Sequence, residues 1–180
     1  MCQALGIAPT KKYQNEGGPS AYDIVQLLRT YSTDREADLN TFIDALGFNW
    51  LIAGTDAHAK NYSLLLAGHR IRLAPLYDVA SILPYDGIDL PKIKLVMKIG
   101  GEYKLSLIGR HQWQKFAREV RVDADELVER LAAMATRLPD EVNAARLSAN
   151  KQGLNAPIIK KLAKQLTERA GACRKSLGAG

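Results

Sequence analysis

The sequence contains little cysteine and no long apolar run. Only Cys2 and Cys173 are cysteines among its 180 residues, and they stand near opposite ends of the chain. Such isolated thiols indicate neither a disulfide framework nor a metal-binding motif, and they favour a reducing compartment. No apolar stretch approaches the ~20 residues that a membrane-spanning helix requires. Residues 1–14 also lack the apolar segment of a signal peptide, so we expect a cytoplasmic protein without membrane contact.

Glycine-rich phosphate-binding motifs are absent as well. The sequence contains neither a Gly-x-Gly-x-x-Gly motif nor a Gly-x-x-x-x-Gly-Lys motif. The isolated pair Gly17-Gly18 is too sparse to replace them. These residues therefore include no recognisable loop that wraps the phosphates of a nucleotide.

Acidic residues are scarce at the C-terminal end. Residues 151–180 contain seven Lys and Arg residues but a single acid, Glu168, so this segment carries the whole formal net charge of +6. Residues 1–150 are neutral overall. This distribution excludes a protein that is coated with positive charge for wrapping nucleic acid.

The remaining composition is that of one soluble globular domain, with 47% hydrophobic and 24% charged residues. Helical periodicity predicts helices at residues 21–31, 35–53, 112–120 and 123–138, a further segment that begins at Pro139, and a last helix at 157–172. Strands are expected at residues 62–66, 70–74, 93–99 and 103–107. The sequence therefore predicts a mainly α fold of five to seven helices with a few short strands.

A dense group of polar residues lies between apolar segments at residues 55–61. Such a group is costly to bury without partners, so we expect it to face a cleft. Asp56 and Asn61 are five residues apart, as are the Asp and Asn of a protein-kinase catalytic loop. In that loop the Asp accepts the proton of the attacking hydroxyl group, and the Asn binds Mg²⁺. The alternative interpretation is a polar surface loop with an Asx-turn.

A further carboxylate, Asp78, follows Asn61 by 17 residues. A short hairpin between the two would bring them together. Hard oxygen ligands suit Mg²⁺, which takes only one or two protein carboxylates, and Asp78 with Asn61 fits that set. Lys60 is then a candidate cation for the reacting phosphate. His58 is a candidate that either acts beside it or holds the loop by hydrogen bonding to backbone or to Asp78.

Short motifs over residues 2–120 carry a family resemblance. The chain resembles the C-terminal lobe of HipA-type serine/threonine kinases, the toxin half of bacterial toxin–antitoxin pairs. The most specific match is the pair formed by residues 55–61 and 73–79. The other matching segments are Cys2-Gln3-Ala4-Leu5-Gly6, Lys12-Tyr13, Gly17-Gly18-Pro19-Ser20, Phe48-Asn49-Trp50-Leu51-Ile52 and Met97-Lys98-Ile99-Gly100-Gly101.

The resemblance implies the helical C-lobe of a protein-kinase-like fold with a small β-hairpin, over residues 1–180. The motif-bearing core would span 2–120, and C-terminal helices, the last of them basic, would span 123–175. By position, Asp56 resembles the catalytic Asp, while Asn61 and Asp78 resemble the Mg²⁺ ligands. The implied donor is ATP and the implied acceptor a protein Ser or Thr. Known family targets are aminoacyl-tRNA synthetases, and the usual partner is a helix-turn-helix antitoxin.

A complete HipA-type protein is more than twice as long as this chain, and its N-terminal part holds the nucleotide clamp. We therefore expect a truncated product or one half of a split protein, inactive or weakly active until an N-lobe completes it. The alternative is an inactive remnant that binds an antitoxin or associates with itself. An uncovered apolar face would favour a homo-oligomer.

The lysines of the last predicted helix have three open interpretations. Lys160, Lys161 and Lys164 form a solvated helix face, contact the phosphates of operator DNA while an antitoxin reads its sequence, or dock onto an acidic partner. In the second case the chain meets DNA only indirectly, through the antitoxin.

Residues 93–99 alternate apolar and polar side chains with a period of two, which predicts a strand that is buried on one face. The other face carries Lys94 and Lys98, close to Lys92. These lysines are either the solvated side of the strand or a contact with a substrate or antitoxin.

Overall fold

Helices and short hairpins alternate along the chain in the computed structural model, which describes residues 1–178. The α-helices in this range are α1 (Ala21–Tyr31), α2 (Arg35–Ile52), α3 (Arg110–Glu119), α4 (Ala124–Lys151) and α5 (Pro157–Ser176). The strands are β1 (Leu64–Ala67), β2 (Arg70–Leu73), β3 (Lys94–Ile99) and β4 (Glu102–Lys104), which pair as two antiparallel hairpins. Because 57% of the chain is helical, the predicted mainly α fold is confirmed.

Local capping chemistry determines where two of the helices begin. The Ser20 hydroxyl accepts a hydrogen bond from the Asp23 amide, and the Asp23 carboxylate accepts one from the Ser20 amide, which is a capping box at the start of α1. The Asp123 carboxylate accepts from two amides in the first turn of α4. Because these bonds join residues only two or three apart, the sequence predicts both helix starts correctly.

The prediction that a new segment begins at Pro139 is wrong, because α4 continues through this residue without interruption. A proline inside a helix removes one main-chain hydrogen bond and costs about 3 kcal/mol. Helix α4 packs along α5 and also contacts α2 and α3, and this tertiary packing outweighs the local penalty. The strand bounds also differ from the prediction, since β1 begins at Leu64 and a 3₁₀ turn replaces the last part of the final strand.

Aromatic side chains join α2 to α3 in the core. The Trp50 and Trp113 rings meet edge to face at 5.7 Å, and Trp113 meets Phe116 at 5.9 Å. All three are essentially inaccessible to solvent, so the prediction that both tryptophans pack in the core is confirmed. None of the helices within residues 1–178 is long and apolar enough to cross a bilayer.

A buried carboxylate ties the start of α2 to strand β2. Asp38 accepts hydrogen bonds from the Ser32 hydroxyl at 2.6 Å, the Leu73 amide at 2.7 Å and Arg72 Nε at 3.1 Å. Burial alone would raise the pKa of Asp38, but these hydrogen bonds outweigh it and lower the pKa. Asp38 therefore stays ionised at neutral pH and fixes the end of β2, from which the chain leads to Asp78.

Candidate functional site

The polar segment at residues 55–61 leaves α2 through a sharp reversal. Ala53 adopts a left-handed conformation with φ of 53°, and the Gly54 amide donates to the Asn49 carbonyl oxygen at 2.7 Å. A Cβ atom on Gly54 would lie 2.3 Å from Asn49 Oδ1, so this position requires glycine for space. The helix thus ends at Ile52, one residue before the predicted end at residue 53, and Ala53 is its left-handed cap.

Asp56 presents its carboxylate to solvent while its neighbours hold it. Its side chain is 68% exposed, and Oδ1 accepts a hydrogen bond from the Tyr13 hydroxyl at 3.2 Å. His58 is buried, with Nε2 4.0 Å from Asp56 Oδ2 and its ring 5.4 Å from the Tyr13 ring. A held but exposed carboxylate is suited to accept a proton from an incoming hydroxyl group.

Burial lowers the pKa of His58, and the attraction of Asp56 for the protonated form offsets this only in part. His58 is therefore neutral at pH 7. Its Nδ1 atom is buried without a hydrogen-bond partner among residues 1–178. No hydrogen bond joins His58 to Asp78 in this range, and Asp78 bonds Asn61 instead.

We expect His58 to titrate below the usual histidine pKa of about 6.5, because its imidazole is buried. The Tyr13→Ala variant uncovers one side of the ring and should raise the pKa of His58 towards 6.5, as measured by an NMR titration of the imidazole protons. Neutral His58 stabilises the fold above its unfolded-state pKa, and this contribution disappears as the pH falls through the folded-state pKa. Tyr22→Ala removes an exposed tyrosine and serves as the control; an unchanged His58 titration in Tyr13→Ala contradicts the argument.

The β1–β2 hairpin brings Asn61 and Asp78 together. Leu64 pairs with Leu73, and beyond this pair the Ala74 amide donates to the Ser63 carbonyl oxygen at 2.9 Å. Asn61 Nδ2 donates to Asp78 Oδ2 at 2.8 Å, although the two residues are 17 positions apart. Asp78 has a left-handed backbone with φ of 56°, which Asp tolerates better than most residues. The hairpin therefore joins these two side chains, as the spacing predicted.

Tyr77 holds the loop main chain beside Lys60. The Tyr77 hydroxyl donates to the Lys60 carbonyl oxygen at 2.6 Å and lies 2.6 Å from the Ser63 hydroxyl. The Lys60 side chain is exposed and pairs with no acid among the described residues. Its ammonium group is thus available to a ligand at the surface of the site.

The donor set at Asn61 and Asp78 fits Mg²⁺. Asn61 is buried, and its Oδ1 atom has no hydrogen-bond partner within residues 1–178. A rotation of the Asn61 amide that exchanges its oxygen and nitrogen would replace the hydrogen bond to Asp78 and direct Oδ1 towards the exposed Asp78 carboxylate, as a shared metal ion requires. One amide oxygen and one carboxylate are hard ligands of the kind that Mg²⁺ combines with several waters.

Two residues near the site escaped the sequence-based choice of candidates. Tyr13 contacts both Asp56 and His58, and the Lys12 ammonium group lies 4.7 Å from the Tyr13 ring centroid. The hydrogen bond with Tyr13, and then the charges of Asp56 and Asp78, raise the pKa of Lys12. The dipeptide lies in a matching motif, but no local spacing predicts a contact across 43 residues.

Two of the three α5 lysines that the sequence singled out lie beside acids. Lys161 Nζ lies 2.6 Å from Asp86 Oδ1, and Lys164 Nζ lies 3.9 Å from Glu168 Oε1. Lys160 and Lys164 line an open groove of about 510 Å³ between α4 and α5, together with Arg146. Part of this basic face is therefore paired with acids, and its contact with nucleic acid stays a prediction.

Comparison with known proteins places the chain in a family. The model of the HipA-like C-terminal domain matches residues 1–142. Sinorhizobium fredii Y4mE, whose name marks it as an inferred kinase, is 38% identical over 122 residues, which are 68% of this chain and 28% of that protein. The serine/threonine-protein kinase toxin HipA of Shewanella oneidensis is 26% identical over 152 residues, 78% of this chain and 34% of that protein.

A solved structure shares the fold. The S. oneidensis complex of HipA, HipB and operator DNA contains a chain that superposes with a TM-score of 0.85 at 22% identity, over 98% of this chain and 43% of that one. The present chain spans about a third or less of the curated relatives it matches. The helical C-lobe architecture is thereby confirmed, and the chain belongs to the HipA-like C-terminal domain family.

Proposed function

We propose that the chain is the catalytic C-lobe of a HipA-like serine/threonine protein kinase toxin. When an N-lobe completes it, it transfers a phosphoryl group from MgATP to a Ser or Thr hydroxyl of a protein. The observation that carries this proposal is the 2.8 Å contact between Asn61 and Asp78, next to the exposed Asp56 carboxylate. Asp78 thus joins the polar segment that carries Asp56 and Asn61, and the three groups have the chemistry of a phosphoryl-transfer site.

Each side chain of the site has a role in the proposed reaction. Asp56 orients the acceptor hydroxyl and takes its proton as the oxygen–phosphorus bond forms and the bond to the β–γ bridging oxygen of ATP breaks. Asn61 and Asp78 hold Mg²⁺, which when bound supplies charge neutralisation on the phosphates. Lys60 adds a positive charge at the surface, and neutral His58 supports Asp56 from the buried side.

Lys12 and Tyr13 lie around Asp56, the proposed base. The Tyr13 hydroxyl holds one oxygen of Asp56, which restricts the carboxylate to one orientation. The Lys12 ammonium group is attracted by the carboxylates of both Asp56 and Asp78, so it can also stabilise negative charge on a bound phosphate. Positioning of this kind, rather than covalent chemistry, is what phosphoryl transfer requires of a protein.

The test uses labelled ATP and a library of Ser/Thr peptides, with the protein completed by an N-lobe supplied in cis or in trans. We expect Mg²⁺-dependent transfer that Asp78→Asn abolishes, because the substitution keeps the shape of the ligand but removes its charge. Asp140→Asn changes an exposed carboxylate on α4 and should leave transfer unchanged. Transfer without a divalent cation, or undiminished transfer by Asp78→Asn, contradicts the proposal. By calorimetry, the 180-residue chain should bind MgATP weakly or not at all without the N-lobe.

A binding module is the second candidate, and exposed apolar side chains favour it. Leu65 and Leu66 on β1 are 52% and 74% exposed, and Tyr77 and Val79 beside the site are each 43% exposed. Such a surface is typical of one that a partner covers, either a helix-turn-helix antitoxin or a second copy of the chain. The related complex of HipA with HipB and operator DNA makes an antitoxin that also meets DNA a reasonable partner. Sedimentation of the chain alone detects association with a second copy, and sedimentation with the candidate antitoxin detects that partner.

A further inference from the structure

Three lysines on the β3–β4 hairpin form a charged surface, which we call the basic hairpin surface. Lys94, Lys98 and Lys104 are all exposed, whereas the alternate residues of β3 are buried. None of the three forms an ion pair with another residue in the described range. Their positive charges are therefore directed to solvent.

The acid on this hairpin, Glu102, offsets the lysines only in part. Its Oε1 atom accepts hydrogen bonds from the amides of Lys104 at 2.7 Å and Tyr103 at 2.8 Å. The hydrogen bond from the Lys104 amide is the largest cause of its lowered pKa, and the charges of Lys104 and Lys94 contribute further. One carboxylate that is engaged by the main chain leaves the surface with an excess of positive charge.

The arrangement of the lysines costs stability. Lys94 stands directly opposite Lys104 in the strand register. Like charges in this position destabilise a hairpin, whereas an acid at either position would form a favourable cross-strand pair. Lys98 lies over the Tyr103 ring at 5.1 Å, which keeps its ammonium group on the outer face. A costly concentration of charge points to a requirement other than folding.

The basic hairpin surface is connected to the candidate site by two consecutive residues. The Lys98 amide donates to Gln14 Oε1 at 2.8 Å, and the adjacent Tyr13 donates to Asp56 at 3.2 Å. The Lys12 ammonium group lies over the Tyr13 ring. These contacts place the basic hairpin surface beside the loop that carries Asp56.

We propose that the basic hairpin surface binds an acidic segment of the protein substrate, close in sequence to the Ser or Thr that is phosphorylated at Asp56. This inference rests on the proposed kinase function and adds the class of substrate to it. An acceptor hydroxyl that reaches Asp56 brings its neighbouring residues over this surface, where carboxylates complement the unpaired lysines. Nucleic acid is a poorer fit, because Lys98 covers Tyr103 and residues 1–150 are neutral overall.

The first experiment measures binding of a fluorescent peptide in which three Glu residues follow a Ser, against the same peptide with Gln. We expect the triple variant Lys94→Glu, Lys98→Glu, Lys104→Glu to lose up to about tenfold in affinity for the acidic peptide, because three exposed ion pairs are lost. The triple variant Lys151→Glu, Arg174→Glu, Lys175→Glu changes the net charge equally and serves as the matched control. Equal losses in the two triple variants, or no preference for Glu over Gln, overturn the inference.

A single substitution separates a role in binding from a role in folding. Lys94→Glu places an acid opposite Lys104, so it should raise the midpoint of thermal unfolding while it weakens acidic-peptide binding. An unchanged peptide affinity, or tighter binding of a DNA duplex than of the acidic peptide by the unmodified chain, contradicts the proposal.

The two proposals fail in different ways. In the completed kinase the triple hairpin variant should raise the KM for the acidic peptide and leave kcat nearly unchanged. Transfer with an unchanged KM contradicts the substrate class alone. Transfer that does not depend on Asp78 contradicts the kinase function itself.

Discussion

In the proposed kinase, completed by an N-lobe, the Asp56→Asn variant is expected to lose a factor of about 10²–10⁴ in kcat, which is the usual contribution of a general base. The substitution keeps the size of the side chain and an oxygen that accepts the Tyr13 hydrogen bond, but it removes the group that takes the proton. The affinity for MgATP should stay near that of the unmodified protein, because the proposed metal ligands, Asn61 and Asp78, are unchanged. Rapid-quench kinetics and nucleotide binding on the same preparation measure the two quantities.

An exposed acid elsewhere provides the comparison for this experiment. Asp125 lies at the start of α4, where its carboxylate contacts Arg110 at 3.2 Å, and Asp125→Asn is the control variant. It should leave kcat unchanged within a factor of two. A rate for Asp56→Asn that equals the rate of this variant removes Asp56 from the catalytic role.

Replacing Trp113 by alanine is expected to lower the free energy of unfolding by about 3–5 kcal/mol. Trp113 is fully buried and packs edge to face against both Trp50 and Phe116, so its loss leaves a cavity where α2 meets α3. Its Nε1 atom has no hydrogen-bond partner among the described residues, so the effect is one of packing alone. Urea unfolding followed by circular dichroism measures the change.

Two further variants make the result for Trp113 interpretable. Leu66→Ala removes a side chain that is 74% exposed and should change the free energy of unfolding by less than about 0.5 kcal/mol. Trp113→Phe keeps one ring in the cluster, so its loss in the free energy of unfolding should lie between those of Leu66→Ala and Trp113→Ala. It also provides a measurement if Trp113→Ala does not fold. A loss below 1 kcal/mol for Trp113→Ala would place the centre of the core elsewhere.

Features that depend on neighbouring residues were predicted well. The capping residues Ser20 and Asp123 define helix starts through bonds within a single turn. The hairpin that joins Asn61 to Asp78 needs only two short strands and a glycine between them. The contact between Asn61 and Asp78 therefore follows from local signals, although the catalytic and metal-binding roles stay predictions.

Features that depend on tertiary packing were not predictable from the pattern. Pro139 carries a strong local signal for a helix end, and only the packing of α4 against other helices overrides it. The contact of Tyr13 with Asp56 joins two loops whose separation is decided by the whole core. The pairing of Lys161 with Asp86 likewise depends on where α5 packs. The sequence of the last helix alone therefore could not show which of its lysines pairs with an acid.

The left-handed backbone at Asp78 limits which side chains this position accepts. Asn and Asp tolerate that conformation far better than alanine or β-branched residues, so most substitutions there would combine loss of the carboxylate with a distorted main chain. Asn and Gly separate the two effects, because both accept the left-handed backbone and lack the carboxylate, and Asn also keeps the size of the side chain. Natural variants of this domain with Asn or Gly at this position should therefore keep the loop and lack the proposed metal ligand, whereas β-branched or bulky replacements should also distort the main chain.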